Sequence, residues 1–344
     1  MGYAPVKSVL NHCQIVTFFL AIFVNYFPVR NLSAAEPLTP LKTISQTTGT
    51  VSALRFSVDN QSVYLGTYGQ LQVVSIESAE TLHKLDKLSG YITSIAASPD
   101  GKLLAAGHYQ KVTLFNTEDY SQLIQLKHHR GQVTGANFLS NQQLLTAADD
   151  GTIALWKLTD DVWSLAESLA NDEPITSLAV DPAGKWAAIG LGDETRVTRP
   201  GSVVIIDLET FQEKKSHVIH KSAVASLATT NDGKSVLSGS FDESIIVTSV
   251  LDGIQTGIFK QHARPVNCIA TVPEKEIIFS GSGGRYKEKN ELIGWNLSTG
   301  EVLIKSEPHA GKITAVAVSV DGKFLATGSQ DETAIIWDLA GFLK

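Results

Sequence analysis

The stretch HAGKITAVAVSVDGKFLATGSQDETAIIWDL, His309 to Leu339, holds three aliphatic segments separated by the polar turns SVDGK and SQDET. Gly, Asp and Ser in the gaps, and β-branched residues in the segments, read as three short strands joined by tight turns. An apolar strand such as TAIIWDL needs something to cover its outer edge, because an exposed edge invites pairing with other chains. The pattern occurs six more times, for instance as GTVSALRFSVDNQSVYLGT from Gly49 and GYITSIAASPDGKLLAAGH from Gly90. The leading aliphatics are Val51, Ile92, Val133, Ile175, Val224, Val266 and Ile313, spaced by 41, 41, 42, 49, 42 and 47 residues.

A more polar fourth segment, such as SQLIQLKHH, closes each unit. Four short strands in a unit of about 40 residues is the period of a β-propeller blade. The inner segments are aliphatic almost throughout, as strands covered on both faces require. The expected fold is therefore all-β, a seven-bladed propeller of four-stranded antiparallel blades. The last copy lacks its fourth strand, and LKTISQ, Leu41 to Gln46, precedes the first copy as LIQLKHH precedes the third. This segment is expected to pair with TAIIWDL, closing the ring and covering the edge.

Over residues 38 to 344 the chain resembles the WD-repeat family, in particular its exported bacterial members. The resemblance rests on Trp337-Asp338, HAGKI at His309, the SVDGK and SQDET turns, and HRGQV with DDGTIALW in the third copy. It implies a polar set within a blade, falling on His129, Thr146, Asp150 and Trp156 in the third copy and on His309, Thr327, Asp331 and Trp337 in the last. The fifth copy has His220, Ser238 and Asp242 but Thr248 at the Trp position. The sixth keeps His262, Ser280 and Trp295 while an insertion replaces the Asp turn. Copies one, two and four carry Val74, Phe115 and Ile206 at that position and no leading His, so complete sets are expected in two blades.

A hydroxyl, a His and an Asp brought together resemble a hydrolase triad, which requires an exposed nucleophile beside an oxyanion hole. Here the hydroxyl falls within a strand and the set recurs, so it reads as buried groups satisfying one another. The adjacent His128 and His129 lack accompanying Cys or carboxylate ligands, and GSGGRY lacks the GK[ST] of a phosphate loop. Neither a metal, a cofactor nor a catalytic residue is expected, and the chain is read as no enzyme.

The 28 basic and 35 acidic residues give a net charge of −7 with no lysine or arginine cluster, which disfavours nucleic acid as a partner. Residues 1–35 differ from the rest: Lys7 precedes the apolar run IVTFFLAIFVNYF, and LSAAEP supplies small residues at Ser33 and Ala35. This reads as a secretory signal peptide cut after Ala35, with an uncleaved membrane anchor as the rival reading. Cleavage leaves 26 basic against 35 acidic residues and a single cysteine, Cys268, so no intramolecular disulfide forms. Export without disulfides fits a bacterial periplasm. The expected domains are 1–35, the signal or anchor, and 36–344, the propeller.

Function must then rest on surfaces, since loops on a rigid scaffold are where recognition concentrates. Two connections between second and third strands are long, GLGDETRVTRPGS and GSGGRYKEKNE. They carry Arg196, Arg199, Arg285, Tyr286, Lys287 and Lys289, a basic and aromatic rim suited to an acidic protein; solvated hairpin tips are the alternative. Tyr68, Tyr91 and Tyr109 fall at turns of the first two copies, either as a contact patch or as packing in place of the missing His and Asp. The expected function is a monomeric, periplasmic or secreted protein-interaction scaffold whose partners are proteins. The alternative is a propeller enzyme or small-ligand binder using the central channel.

Overall fold

The computed structural model describes residues 38–45, 47–193, 195–196, 198–284 and 288–343. These form an all-β propeller of antiparallel sheets, and no helix occurs among them. Within each repeat the second and third strands are almost wholly buried, as in Trp186–Leu191 and Leu292–Asn296. The fourth strands are mostly exposed, as in Val162–Ala170 and Gln212–His220. The aliphatic runs therefore lie between neighbouring sheets, and the polar runs form the outer wall. Trp186 is core, whereas Trp163 lies on an outer strand against Phe138.

The seven separate blades expected from the repeats are corrected by the sheet count, which is six: five sheets of four strands and one of six. The six-stranded sheet holds the second and third repeats. In the second repeat the second and third strands run on as Leu103–Asn116, with Gln110 at φ 64° where the chain turns back. The passage into the third repeat is the unbroken strand Gln122–Ser140. Its first half pairs with Lys111–Phe115 and its second half with Gln143–Ala148, so ladder bonds continue from one repeat to the next.

The N-terminal strand Pro40–Ile44 pairs antiparallel with Ala334–Asp338, matching Ile44 with Ala334 and Thr43 with Ile335. The edge of TAIIWDL is thus covered from the other end of the described chain. Leu38 packs with Leu339, Trp337 and the partly buried Phe342 and Leu343 in one apolar cluster, so both ends are fastened to the last two repeats.

The first strands line a central cavity of about 640 Å³. Here the residue following each leading aliphatic ties its repeat to the next. Ser52, Thr93, Thr134 and Thr176 donate through their hydroxyls to the carbonyls of Ile92, Val133, Ile175 and Val224. Asn267 Nδ2 donates to Ile313 O, and Thr314 Oγ1 donates to Val51 O, returning to the first repeat. These six bonds span 2.5 to 3.0 Å. The belt is interrupted at Ala225, which has no side-chain donor. Ala225→Thr should complete it and add about 1 kcal/mol of stability, read as a higher denaturation midpoint at unchanged slope. An unaltered midpoint would count against the belt as a stabilising element.

Candidate functional site

In the last repeat, His309 Nε2 lies 2.8 Å from Thr327 Oγ1, Nδ1 lies 3.1 Å from Asp331 Oδ2, and Trp337 Nε1 donates to the same Thr327 oxygen at 3.1 Å. Asp331 also accepts the main-chain N–H of Ala310. Every polar group has a role if Nδ1–H donates to Asp331 and Nε2 accepts the Thr327 proton, which the bonding network assigns. In the third repeat His129 and Trp156 meet Thr146 at 2.7 and 3.0 Å, but Asp150 stands 3.9 Å from His129 with Thr152 Oγ1 bridging them. Thr152, Ser244 and Thr333 recur two residues after the Asp, a contribution the sequence reading missed.

The sixth repeat corrects the expectation of two complete sets. Glu291, just beyond the insertion, accepts from Ala263 N and faces His262 Nδ1 at 3.3 Å, while Lys305 pairs with its other oxygen at 2.8 Å. His262 and Trp295 both meet Ser280. Glu291 stands at the position of Thr333 and Ser244, next to the third strand, rather than at that of the Asp, as the matching bonds from Ser329, Ser240 and Ser282 N show. The second repeat holds a different arrangement: His108, buried at the end of the second strand, bridges Ser89 and Thr113. In the fifth, His220 joins Asp242 and Ser238, and the Thr248 hydroxyl at the Trp position is buried without a partner.

These sets do not act as triads. Thr146, Ser280 and Thr327 have no solvent exposure, each receives a Trp N–H, and the pattern recurs, so no substrate carbonyl can reach the hydroxyl. Burial pushes the His129 imidazole down to about 4 against the pull of Asp150, and lowers His108, His262 and His309 likewise. Burial would raise Glu291, but its bonds from His262, Lys305 and Ala263 N hold it at about 2. The Cys268 thiol is buried and raised to about 12, which suits an inert structural cysteine. Among the described residues no group of three His, Cys, Asp or Glu could hold a metal ion.

The three tyrosines come together on the face carrying the connections between second and third strands and between repeats. Tyr68 and Tyr91 form an isolated bridge, their rings edge to face with centroids 5.1 Å apart. Tyr109 follows directly: its N–H donates to Ser89 O, and a Cβ added at Gly90, where φ is +75°, would lie 3.2 Å from Tyr109 Cβ. Glycine is required there both by the positive φ and by the closeness of the tyrosine. The loops beneath are tied by Gly69 N to Gly90 O, Leu88 N to Gly69 O, and Gln132 Nε2 to Tyr91 O.

The tyrosines are 62%, 46% and 49% exposed. All other large apolar side chains exposed among the described residues, such as Leu82, Val218 and Leu251, lie on outer strands or in turns at the opposite side. The packing alternative is thereby disfavoured, since buried filler would not leave half of each ring in water.

Arg196 and Arg199 lie in the fourth-repeat connection, half-exposed or more, and pair with Asp193 at 3.2 Å and Glu173 at 3.9 Å. Among the described residues no bond joins them to the tyrosines. Arg285, Tyr286 and Lys287 lie outside the described residues.

Comparison with known proteins agrees with this architecture. The family model "WD domain, G-beta repeat" matches residues 80–116, 120–157, 211–249 and 300–338. A guanine nucleotide-binding protein subunit beta of Arabidopsis thaliana is 25% identical over 63% of this chain and 59% of its own. WD repeat-containing protein 55 of Mus musculus is 25% identical over 62% of this chain and 52% of its own. The WD repeat domain-containing protein 83 homolog of Dictyostelium discoideum is 28% identical over 35% of each. Each match takes up less than two thirds of the relative's length. Repeated His, Thr and Trp bonding on a four-strand plan, together with these matches, places the chain among the WD40-repeat proteins.

Proposed function

We propose that this protein is a non-enzymatic interaction platform that engages partner proteins through its loop face, with Tyr68, Tyr91 and Tyr109 at the centre of contact. The observation that carries the reading is the clustering of three half-exposed tyrosines on one face over loops held by main-chain bonds. Tyrosine is enriched among residues that dominate binding energy, and a rigid base spares the ordering cost of association. WD-repeat propellers generally bind proteins, which points the same way. Arg196 and Arg199 belong to the rim of the surface rather than its centre, because their charges are partly met by Asp193 and Glu173. Arg285, Tyr286 and Lys287 are offered as rim residues on sequence grounds alone.

The channel is the weaker candidate. The hydroxyls of Ser52, Thr93, Thr134 and Thr176 and the amide of Asn267 already donate to main-chain carbonyls of the next repeat, so most of the channel's donors are committed to the ring, with Ser177 and Ser226 left over. Tyr91→Ala should weaken partner binding by about 2 kcal/mol, roughly 30-fold, with little effect on melting temperature. Affinity capture of partners by wild-type and Tyr91→Ala protein, read by quantitative mass spectrometry, checks this. Equal recovery would contradict the surface assignment.

The reading extends to location. Residues 1–35 act as a signal peptide, and the mature protein, starting at residue 36, works as a periplasmic or secreted monomer without a nucleic-acid partner. The apolar run after Lys7 and the small residues Ser33 and Ala35 support this. Mass spectrometry of the mature N-terminus should find Glu36 first. A retained Met1 would favour a membrane anchor instead.

A further inference from the structure

The tyrosine surface has a chemistry narrower than general protein binding. We infer that its partner presents an uncharged, proline-rich segment in the polyproline II conformation, an inference that rests on the loop-face reading above. The ridge itself carries no formal charge: it is built from Gly66–Gln70, Ser89–Thr93 and Tyr109–Gln110. The charges around it nearly balance, with Lys87, Lys111, its cross-strand partner Lys127 and Arg130 set against Asp86, Asp149 and Asp150. The acids are already engaged, Asp86 by Gln70 Nε2, Asp149 by Gln132 N, and Asp150 by Arg130 N and Thr152. On a chain of net charge −7, this sector offers a basic or acidic segment little electrostatic gain, whereas an uncharged segment meets no opposing charge.

What the ridge does offer is aromatic faces and phenol hydroxyls. The side-chain Nε2 groups of Gln70, Gln110 and Gln132 donate to Asp86, Arg130 O and Tyr91 O. The phenol groups of Tyr68, Tyr91 and Tyr109 make no hydrogen bond with another described residue. A polyproline II segment has the complementary needs. Its rings pack on aromatic faces, and its carbonyls, which have no internal donor, can accept from the phenol hydroxyls. It is also extended before binding, so a preformed ridge and a preformed ligand meet with little ordering cost. A strand-adding peptide is a poorer match, because the loop backbone here bonds to itself at Gly69, Leu88 and Tyr109.

Fluorescence anisotropy of a labelled deca-proline peptide with the mature protein tests this, with deca-glutamate and a Gly-Ser decamer as comparators. Saturable binding of deca-proline is expected, at least tenfold tighter than either comparator, lost on Tyr91→Ala and largely kept in Tyr91→Phe. No saturable binding to wild type, equal binding to Tyr91→Ala, or preference for deca-glutamate would overturn the inference. If Tyr91→Ala abolishes partner capture while deca-proline does not bind, the segment class is wrong and the loop-face reading stands. If Tyr91→Ala alters neither, both fall.

Discussion

Deleting residues 38–45 should lower the melting temperature by ~10 °C or more, or leave no folded protein, when measured by circular dichroism against the 36–344 chain. The deletion removes Ile44, 3% exposed in the cluster with Val51 and Ile336, and Leu38, 8% exposed against Trp337 and Leu339. Burial of each aliphatic side chain is worth about 1.5–3 kcal/mol, and the ladder to Ala334–Asp338 goes with it. A loss of about 5 kcal/mol is a large part of the stability of an ordinary domain. The bared edge of Ala334–Asp338 should also promote association, visible as faster light scattering on heating. An unchanged melting temperature would mean that the ring does not depend on its terminal pairing.

The second large effect lies in the buried histidines. His309→Ala should cost about 3 kcal/mol, because Asp331, Thr327 and Thr333 each lose a partner in a largely buried site. The same groups set an acid limit. His129 has its folded value depressed from 6.5 to about 4, so the unfolded chain binds the proton more readily. Its contribution is full above pH 6.5 and is lost as pH falls towards 4, amounting to about 3 kcal/mol for this group. His108, His262 and His309 shift in the same direction. Glu291, lowered from 4.5 to about 2, adds a further loss below pH 4.5. The melting temperature should therefore fall steadily from pH 6.5 to 4; a flat profile over that range would show that these rings are not buried neutral.

Much of the fold was legible because a propeller repeats its chemistry. The leading aliphatics, the small-residue second strands and the Trp337-Asp338 dipeptide recur in register, and the spare strand at Leu41 followed from that register. The sheet count did not follow. Whether two repeats remain separate depends on whether ladder bonds run through Gln122–Ser140, a property of backbone continuity that periodic spacing does not encode. The His129 and His309 networks were legible from motif position. Glu291 was hidden because it stands where other sets carry a hydroxyl, Thr333 or Ser244, and His108 because its partners Ser89 and Thr113 come from a loop and a third strand with no shared motif. The tyrosines were named correctly as turn residues, but their union needed the bridge between Tyr68 and Tyr91, which joins residues of two repeats.

The central claim is that partners sit on the tyrosine face, and site-specific photo-crosslinking tests it most directly. A p-benzoylphenylalanine replaces Tyr91 in one variant and Leu251, exposed on the opposite side, in another. Irradiation in the native cell should yield crosslinked partner from position 91 and none from position 251. Crosslinks from position 251 alone, or equally from both, would contradict the account.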